Sequence, residues 1–207
     1  MSEQELRRQL VEVGRSLFDR GLSPGTSGNL SVRIEGGFLA TPTNSPLGAL
    51  DAERLSRLDG DGRLVDGDPP TKEVWLHLAL YAERPDARAV VHLHSTHAVA
   101  AACLAGVDER DVLPPLTPYY VMRVGRLPLV PYGRPGDASL AGEVRVRARE
   151  SHALLLANHG PVVAAASLEA AAAAAEEIEE TAKLVLLTHG LKTRPLTPQQ
   201  LDELRAQ

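Results

Sequence analysis

The sequence points to one α/β domain spanning residues 1–207, and three observations carry that reading. The chain is 43% hydrophobic and 24% charged over 207 residues, enough to close one sizeable core but not two. Apolar side chains recur at helical spacing in some segments and alternate with a period of two in others, so helices and strands are mixed throughout. No internal repeat divides the chain, and the alanine run at 170–175 reflects helix propensity rather than low complexity.

Taken in order, residues 4–20 repeat apolar positions at helical spacing, with Gly21 as a stop. "NLSVRIEGGFLAT" alternates around Glu35-Gly36-Gly37, which predicts a hairpin. "PTKEVWLHLALYAE" is helical behind Pro70, "RAVVHLH" is a short β-branched strand, and "THAVAAACLA" is helical up to Gly106. Prolines and glycines make 107–136 an irregular loop around a short strand "LPLVPY". "ALLLANHGPVVAAA" predicts two strands broken at Asn158-His159-Gly160. A long helix should open at a Ser167 cap and close at Gly190, leaving "TPQQLDELRAQ" as a loose C-terminal segment.

A formal charge of -5 gives no electrostatic reason to expect nucleic acid or anionic membrane as a partner. The opening "MSEQELRRQL" lacks an apolar signal core and no apolar run is long enough for a membrane span, so the expected location is the cytoplasm. The single cysteine, Cys103, suits a reducing compartment and reads as a small buried hydrophobe. The acidic cluster Glu176, Glu177, Glu179 and Glu180 reads as a solvated helix face, with Glu179 in reach of Lys183.

Chemistry concentrates in a few places. In "AVVHLHSTH", His92 and His94 stand two apart on a strand and project to one face, a spacing that leaves both packing and metal binding open. A catalytic zinc needs a third protein donor, and His159 is presented at a break between two strands. His97 could continue the cluster but reads better as a capping or packing residue, and His77, four residues after Glu73 on the same helical face, reads as packing ahead of a supporting partner of the site. "GLSPGTSGNLS" places glycines among Thr26, Ser27 and Asn29, a composition that can cradle an anion or form an ordinary turn. "TPTNS" and "PPTKE" have the same character, and in the latter Thr71 and Lys72 sit where a helix begins. Glu73 follows, with a plain explanation in its interaction with the helix dipole.

In combination, "SGNLS", "TPT", "TKE", "HLHS" and "ANHG" resemble the class II aldolase/adducin family in content and order, over essentially the whole chain. The resemblance implies an α/β/α layered fold whose central, mostly antiparallel sheet is covered by helices. It also implies a zinc site made by His92, His94 and His159, with Glu73 as acid/base and a possible fourth ligand. Mn2+ or Co2+ are alternatives to Zn2+. Gly28, Asn29, Thr43, Asn44, Thr71 and Lys72 would surround the phosphate or neighbouring polar groups of a sugar-phosphate substrate. The family tyrosine that serves as an acid falls at Tyr119, with Tyr120 beside it.

Longer stretches, among them "GDPPTKEVWLHLALY" and "PPLTPYYVMRVGRLPLVPYGRPGD", are similar to the 3-oxo-tetronate 4-phosphate decarboxylases within that family. Their chemistry releases carbon dioxide and dihydroxyacetone phosphate through a metal-stabilised enediolate. Fuculose-phosphate aldolases usually carry a serine pair at Thr71-Lys72 and glycine at Asn44. A sugar-phosphate aldolase or epimerase is the alternative activity, and a non-catalytic adducin-like interaction module the alternative class. The resemblance further implies a homotetramer with sites near subunit contacts.

Overall fold

The computed structural model describes residues 1–206. Eight strands form a single sheet in the order β4-β3-β2-β1-β5-β8-β7-β6. They are β1 (Asn29–Ile34), β2 (Gly37–Ala40), β3 (Ser56–Asp59), β4 (Leu64–Asp66), β5 (Ala89–His92), β6 (Leu129–Val130), β7 (Ala153–Leu156) and β8 (Gly160–Ala165). All neighbouring pairs are antiparallel except β6 with β7. The expected mostly antiparallel sheet is therefore present.

Strand periodicity sorts the core into two layers, because successive side chains point to opposite faces. Val91, Leu155 and Val163 meet one apolar cluster, while their neighbours Val90, Leu154 and Val162 meet the other. The first cluster is closed by α1 (Glu3–Asp19), α3 (Thr96–Ala102), α4 (Pro118–Arg123) and α6 (Leu168–Leu187). The second is closed by α2 (Val74–Glu83) and α5 (Ala141–Ala148). Helices thus cover both faces of the sheet.

Several helix ends carry the expected signals. Ser2 forms a capping box with Glu5 at the start of α1, and Ser167 caps α6 by accepting from the Ala170 amide. Gly190 adopts a left-handed φ of 78° just beyond α6.

Other expectations need correction. The stretch 107–136 is not wholly irregular, since Pro118 at the first turn and a Thr117 cap start the short helix α4. The C-terminal segment is not loose throughout. Thr197 and Gln200 form a capping box that opens α7 (Pro198–Arg205), and Leu201 and Leu204 pack on the core. Cys103 is exposed rather than buried, because α3 ends at Ala102 and places it at the helix end.

Glu179 departs furthest from its expected solvated state. It is only 6% exposed and lies on the same helical stripe as the buried Ala175 and Ala182. Its Oε1 accepts from the His97 amide at 3.0 Å and from His97 Nδ1 at 2.7 Å, and its Oε2 accepts from the Ala98 amide at 2.8 Å. Glu179 therefore caps α3 from a different helix, while the nearby lysine, Lys183, pairs with Glu180 instead. Glu179→Ala strands two helix amides and should lower unfolding free energy by about 2–3 kcal/mol. Urea denaturation checks this; a loss below about 0.5 kcal/mol would show that the cap contributes little.

Candidate metal and anion site

The site grows from a match between one strand and one helix. On β1, Leu30 and Val32 enter the first core cluster, so Asn29, Ser31 and Arg33 face the α2 layer. Glu73, His77 and Tyr81 recur every four residues along the facing side of α2 and its entrance. Two strand residues advance about 6.7 Å and four helix residues about 6 Å, so the two series stay in step. Asn29 reaches Glu73 and His77, Ser31 reaches His77 and Tyr81, and Arg33 donates to the Tyr81 carbonyl. Sequence alone favours packing over support of the site for His77. It is instead a buried hydrogen-bonding link between the strand and the helix.

The histidines come together through sheet pairing. His92 lies opposite Asn29 in the β1–β5 register and so shares its face. Strand β8 runs antiparallel to β5, which brings the start of β8, and His159 just before it, beside the end of β5. Gly160 makes this approach possible. Its φ is 152°, and a Cβ there would lie 2.3 Å from the Leu93 carbonyl oxygen.

The three Nε2 atoms form a near-equilateral triangle, with separations of 3.1 Å (His92–His94), 3.1 Å (His94–His159) and 3.3 Å (His92–His159). Glu73 adds Oε1 at 3.2 Å from His159 Nε2 and Oε2 at 3.4 Å from His92 Nε2. All four side chains offer a ligand atom within 4.8 Å of one another. Donors at 2.0–2.1 Å around a tetrahedral ion stand about 3.3–3.4 Å apart, so the spacing fits a divalent cation. His92 Nδ1 donates to the Pro161 carbonyl at 2.8 Å, which leaves its Nε2 lone pair bare, as a ligand must be.

The electrostatics agree. Burial, with the neighbouring His92 and His159 rings opposing a further positive charge, takes His94 down to about 3, and burial beside His92 takes His159 to about 4. Both rings are therefore neutral and able to ligate at neutral pH. For Glu73, burial acts to raise the carboxyl. The adjacent His92 and His159 rings and the hydrogen bond from the Asn29 amide outweigh it and hold the group well below the usual range. Glu73 thus rests as a carboxylate.

Beside this cluster opens a cavity of about 190 Å³, suited to a metabolite smaller than a drug-sized ligand. Its walls include Gly28, Asn29, Thr43, Asn44, Thr71, Lys72, Glu73 and His94, which unites the three polar segments noted in the sequence. An isolated Pro42–Pro70 bridge ties the second segment to the third. Asn44 holds a left-handed φ of 57°, and Gly28 is required because a Cβ would strike Ser23 Oγ at 2.1 Å. Lys72 supplies the cavity's ammonium group, just before the N-terminus of α2.

A narrower cleft touches the other side of Glu73 and His159, lined also by Trp75, Arg134 and Pro135. Nothing in the proline- and glycine-rich stretch 131–137 marked Arg134 as a neighbour of the site. Tyr119 does not join either cleft: it is 59% exposed on α4, with Arg123 stacked on its ring at 5.2 Å. Tyr120 is fully buried, which pushes its hydroxyl pKa upward.

Comparison with known proteins gives a consistent result. Residues 8–186 match the class II aldolase and adducin N-terminal domain. The chain is 50% identical to the 3-oxo-tetronate 4-phosphate decarboxylase of Pectobacterium atrosepticum over 204 residues, covering 98% of this chain and 94% of that one. It is 35% identical to the L-fuculose phosphate aldolase of Haemophilus influenzae over 206 residues, covering 98% and 93% respectively. The crystal structure of YgbL from Escherichia coli superposes with a TM-score of 0.95 at 49% identity, over 98% of this chain and 99% of that one.

Two expectations follow. Burial takes His77 down to about 3, so with His94 and His159 it gains protons on unfolding between about pH 3 and 6.5. Stability of the metal-free protein should be full above pH 6.5 and fall as pH drops through that window; a pH-independent urea midpoint would contradict it. Gly160→Ala should push β8 off the Leu93 carbonyl and weaken metal affinity by about tenfold or more, measured by competition with a chelator dye.

Proposed function

The chain belongs to the class II aldolase and adducin family, and from that membership we propose that it decarboxylates a 3-oxo-tetronate 4-phosphate to dihydroxyacetone phosphate and carbon dioxide. The observation that carries this reading is the junction of a three-histidine, one-carboxylate cluster with a cavity lined by Lys72, Gly28 and the threonines Thr26, Thr43 and Thr71. His92, His94 and His159 would hold a divalent cation, Zn2+ in this reading, with Glu73 next to it. When bound, that cation supplies Lewis-acid stabilisation of negative charge developing on the ketone oxygen.

The chain's own residues do the rest. Gly28, Asn29, Thr43, Asn44 and Thr71 present small polar groups to a phosphate, and Lys72 neutralises part of the substrate's charge. As the bond to the carboxylate carbon breaks, carbon dioxide leaves and its electron pair passes toward the ketone. The carbon left behind takes a proton from Glu73, whose proton is then restored from solvent. Glu73 rests ionised, but an anionic substrate placed beside it opposes that charge and raises its proton affinity during the catalytic cycle.

Tyr119 lies outside its own chain's clefts, so its role as an acid belongs to a neighbouring subunit's site in a homotetramer. Exposed apolar side chains next to it, Met122 among them, support such a contact. A cytoplasmic location belongs to the same reading. Among residues 1–206 no helix is long and apolar enough to cross a membrane. The second reading, aldol cleavage of a ketose phosphate, is favoured by the 35% identity to an L-fuculose phosphate aldolase. Retention of all four ligating side chains weighs against a purely non-catalytic scaffold.

Purified zinc-loaded protein given both enantiomers of the keto-acid phosphate should release carbon dioxide in step with dihydroxyacetone phosphate. Faster aldehyde release from a ketose phosphate would transfer the assignment to the aldolases. His94→Ala should lose bound metal and turnover while keeping the native circular-dichroism spectrum; unchanged metal content would remove His94 from the ligand set. Glu73→Gln should keep its metal and lose about 100- to 10,000-fold in kcat. A near-normal rate in that variant would end the proton-transfer role.

A further inference from the structure

Behind Glu73 runs a buried chain of hydrogen bonds whose direction can be worked out atom by atom. Glu73 Oε2 lies 2.8 Å from Asn29 Nδ2, and a carboxylate only accepts, so the Asn29 amide nitrogen must donate. Asn29 then turns Oδ1 toward His77 Nε2 at 2.6 Å. An amide oxygen also only accepts, so His77 carries a hydrogen on Nε2.

Full burial keeps the His77 ring neutral, with a pKa near 3, so its Nδ1 is bare. Ser31 Oγ, 2.7 Å from that nitrogen, must donate to it. Its only hydrogen is then committed, so the single Tyr81 hydroxyl hydrogen is shared between the Ser31 carbonyl at 3.1 Å and Ser31 Oγ at 3.0 Å, and ends the chain as a donor. Every link points the same way, toward Glu73, and all five side chains are buried.

We infer that Tyr81, Ser31, His77 and Asn29 lock Glu73 Oε2 as a permanent acceptor, and that Oε1 is the oxygen that carries the transferable proton. Placing the proton on Oε2 would turn the oxygen that accepts from Asn29 into a hydroxyl, a much weaker acceptor, and weaken the bond that orients the whole chain. Placing it on Oε1 disturbs none of these bonds. His77 and Ser31 are thus positioning residues that select one face of the carboxyl group, and neither needs to touch substrate. This inference rests on Glu73 as the proton-transferring group.

The test has a part that needs no substrate. In protein labelled with 15N-histidine, with and without zinc, His77 should show a protonated Nε2 and a bare Nδ1. The opposite tautomer would overturn the chain. Ser31→Ala should keep Nε2 protonated, because Asn29 Oδ1 only accepts, but should shift the resonance of the bare Nδ1 as it loses its donor; an unchanged Nδ1 resonance would remove Ser31 from the chain.

Activity then separates positioning from structure. Gln at position 77 can place an amide donor near the Nε2 position, whereas Asn reaches only the Nδ1 side. His77→Asn should lower kcat about tenfold to a hundredfold, with KM and metal content nearly unchanged. His77→Gln should stay within about fivefold of the parent. Equal losses in both variants, or none in either, would show that donor placement at Nε2 does not matter. If Glu73→Gln retained full turnover, the proton-transfer reading itself would fail, whatever the His77 tautomer.

Discussion

Four donor atoms crowded into one small volume set the terms for this structure. Three imidazole nitrogens stand 3.1–3.3 Å apart, and a resting carboxylate lies within 3.4 Å of two of them. Lone pairs and negative charge packed this closely repel unless a positive charge sits among them. A divalent cation resolves the repulsion and uses every donor, and the depressed pKa values of His94 and His159 keep those donors bare. The surrounding fold holds two of these side chains directly, His92 through the Pro161 carbonyl and Glu73 through the Asn29 amide.

The fold achieves this with ordinary means. The β1–β5–β8 pairing brings His92 and His159 to one end of the sheet, and Gly160 omits a Cβ that would collide with the Leu93 carbonyl. The in-step series on β1 and α2 places Glu73 against that end. From the other face, Glu179 on α6 grips the first amides of α3, the helix that starts two residues after His94. The metal cluster is thus braced from both layers of the sandwich, while the anion cavity beside it is made of loops. That division suits a site in which the cation must stay fixed and the substrate must come and go.

Much of this was legible in the residue order. His92 and His94 were visible as a pair because strand geometry has a period of two, and His159 because a glycine-marked break interrupts an apolar run. The polar segments at 26–29, 43–44 and 71–73 were each ambiguous, and only folding unites them in one cavity. The signal for His77 and Glu179 was present but easily discounted. Glu73, His77 and Tyr81 form a stripe at intervals of four, and Glu179 sits four residues from Ala175 on a buried face. Polar side chains at those positions look solvated until their partners on other elements are known. Strands β3 and β4 escaped detection because they are short and β4 is exposed throughout, and α5 because its buried side is only Val144 and Ala148. Tyr119 could be located in the chain, but the fold leaves it exposed on α4, outside both clefts beside the cluster.

The central claim is that three imidazoles and a carboxylate were built around one cation. X-ray absorption at the zinc edge on the stoichiometrically loaded protein tests it most directly. The account requires three histidine nitrogens at about 2.0–2.1 Å from the metal, with any remaining ligands oxygen. A spectrum with fewer than three imidazole ligands, or with sulfur from Cys103 in the first coordination sphere, would contradict it.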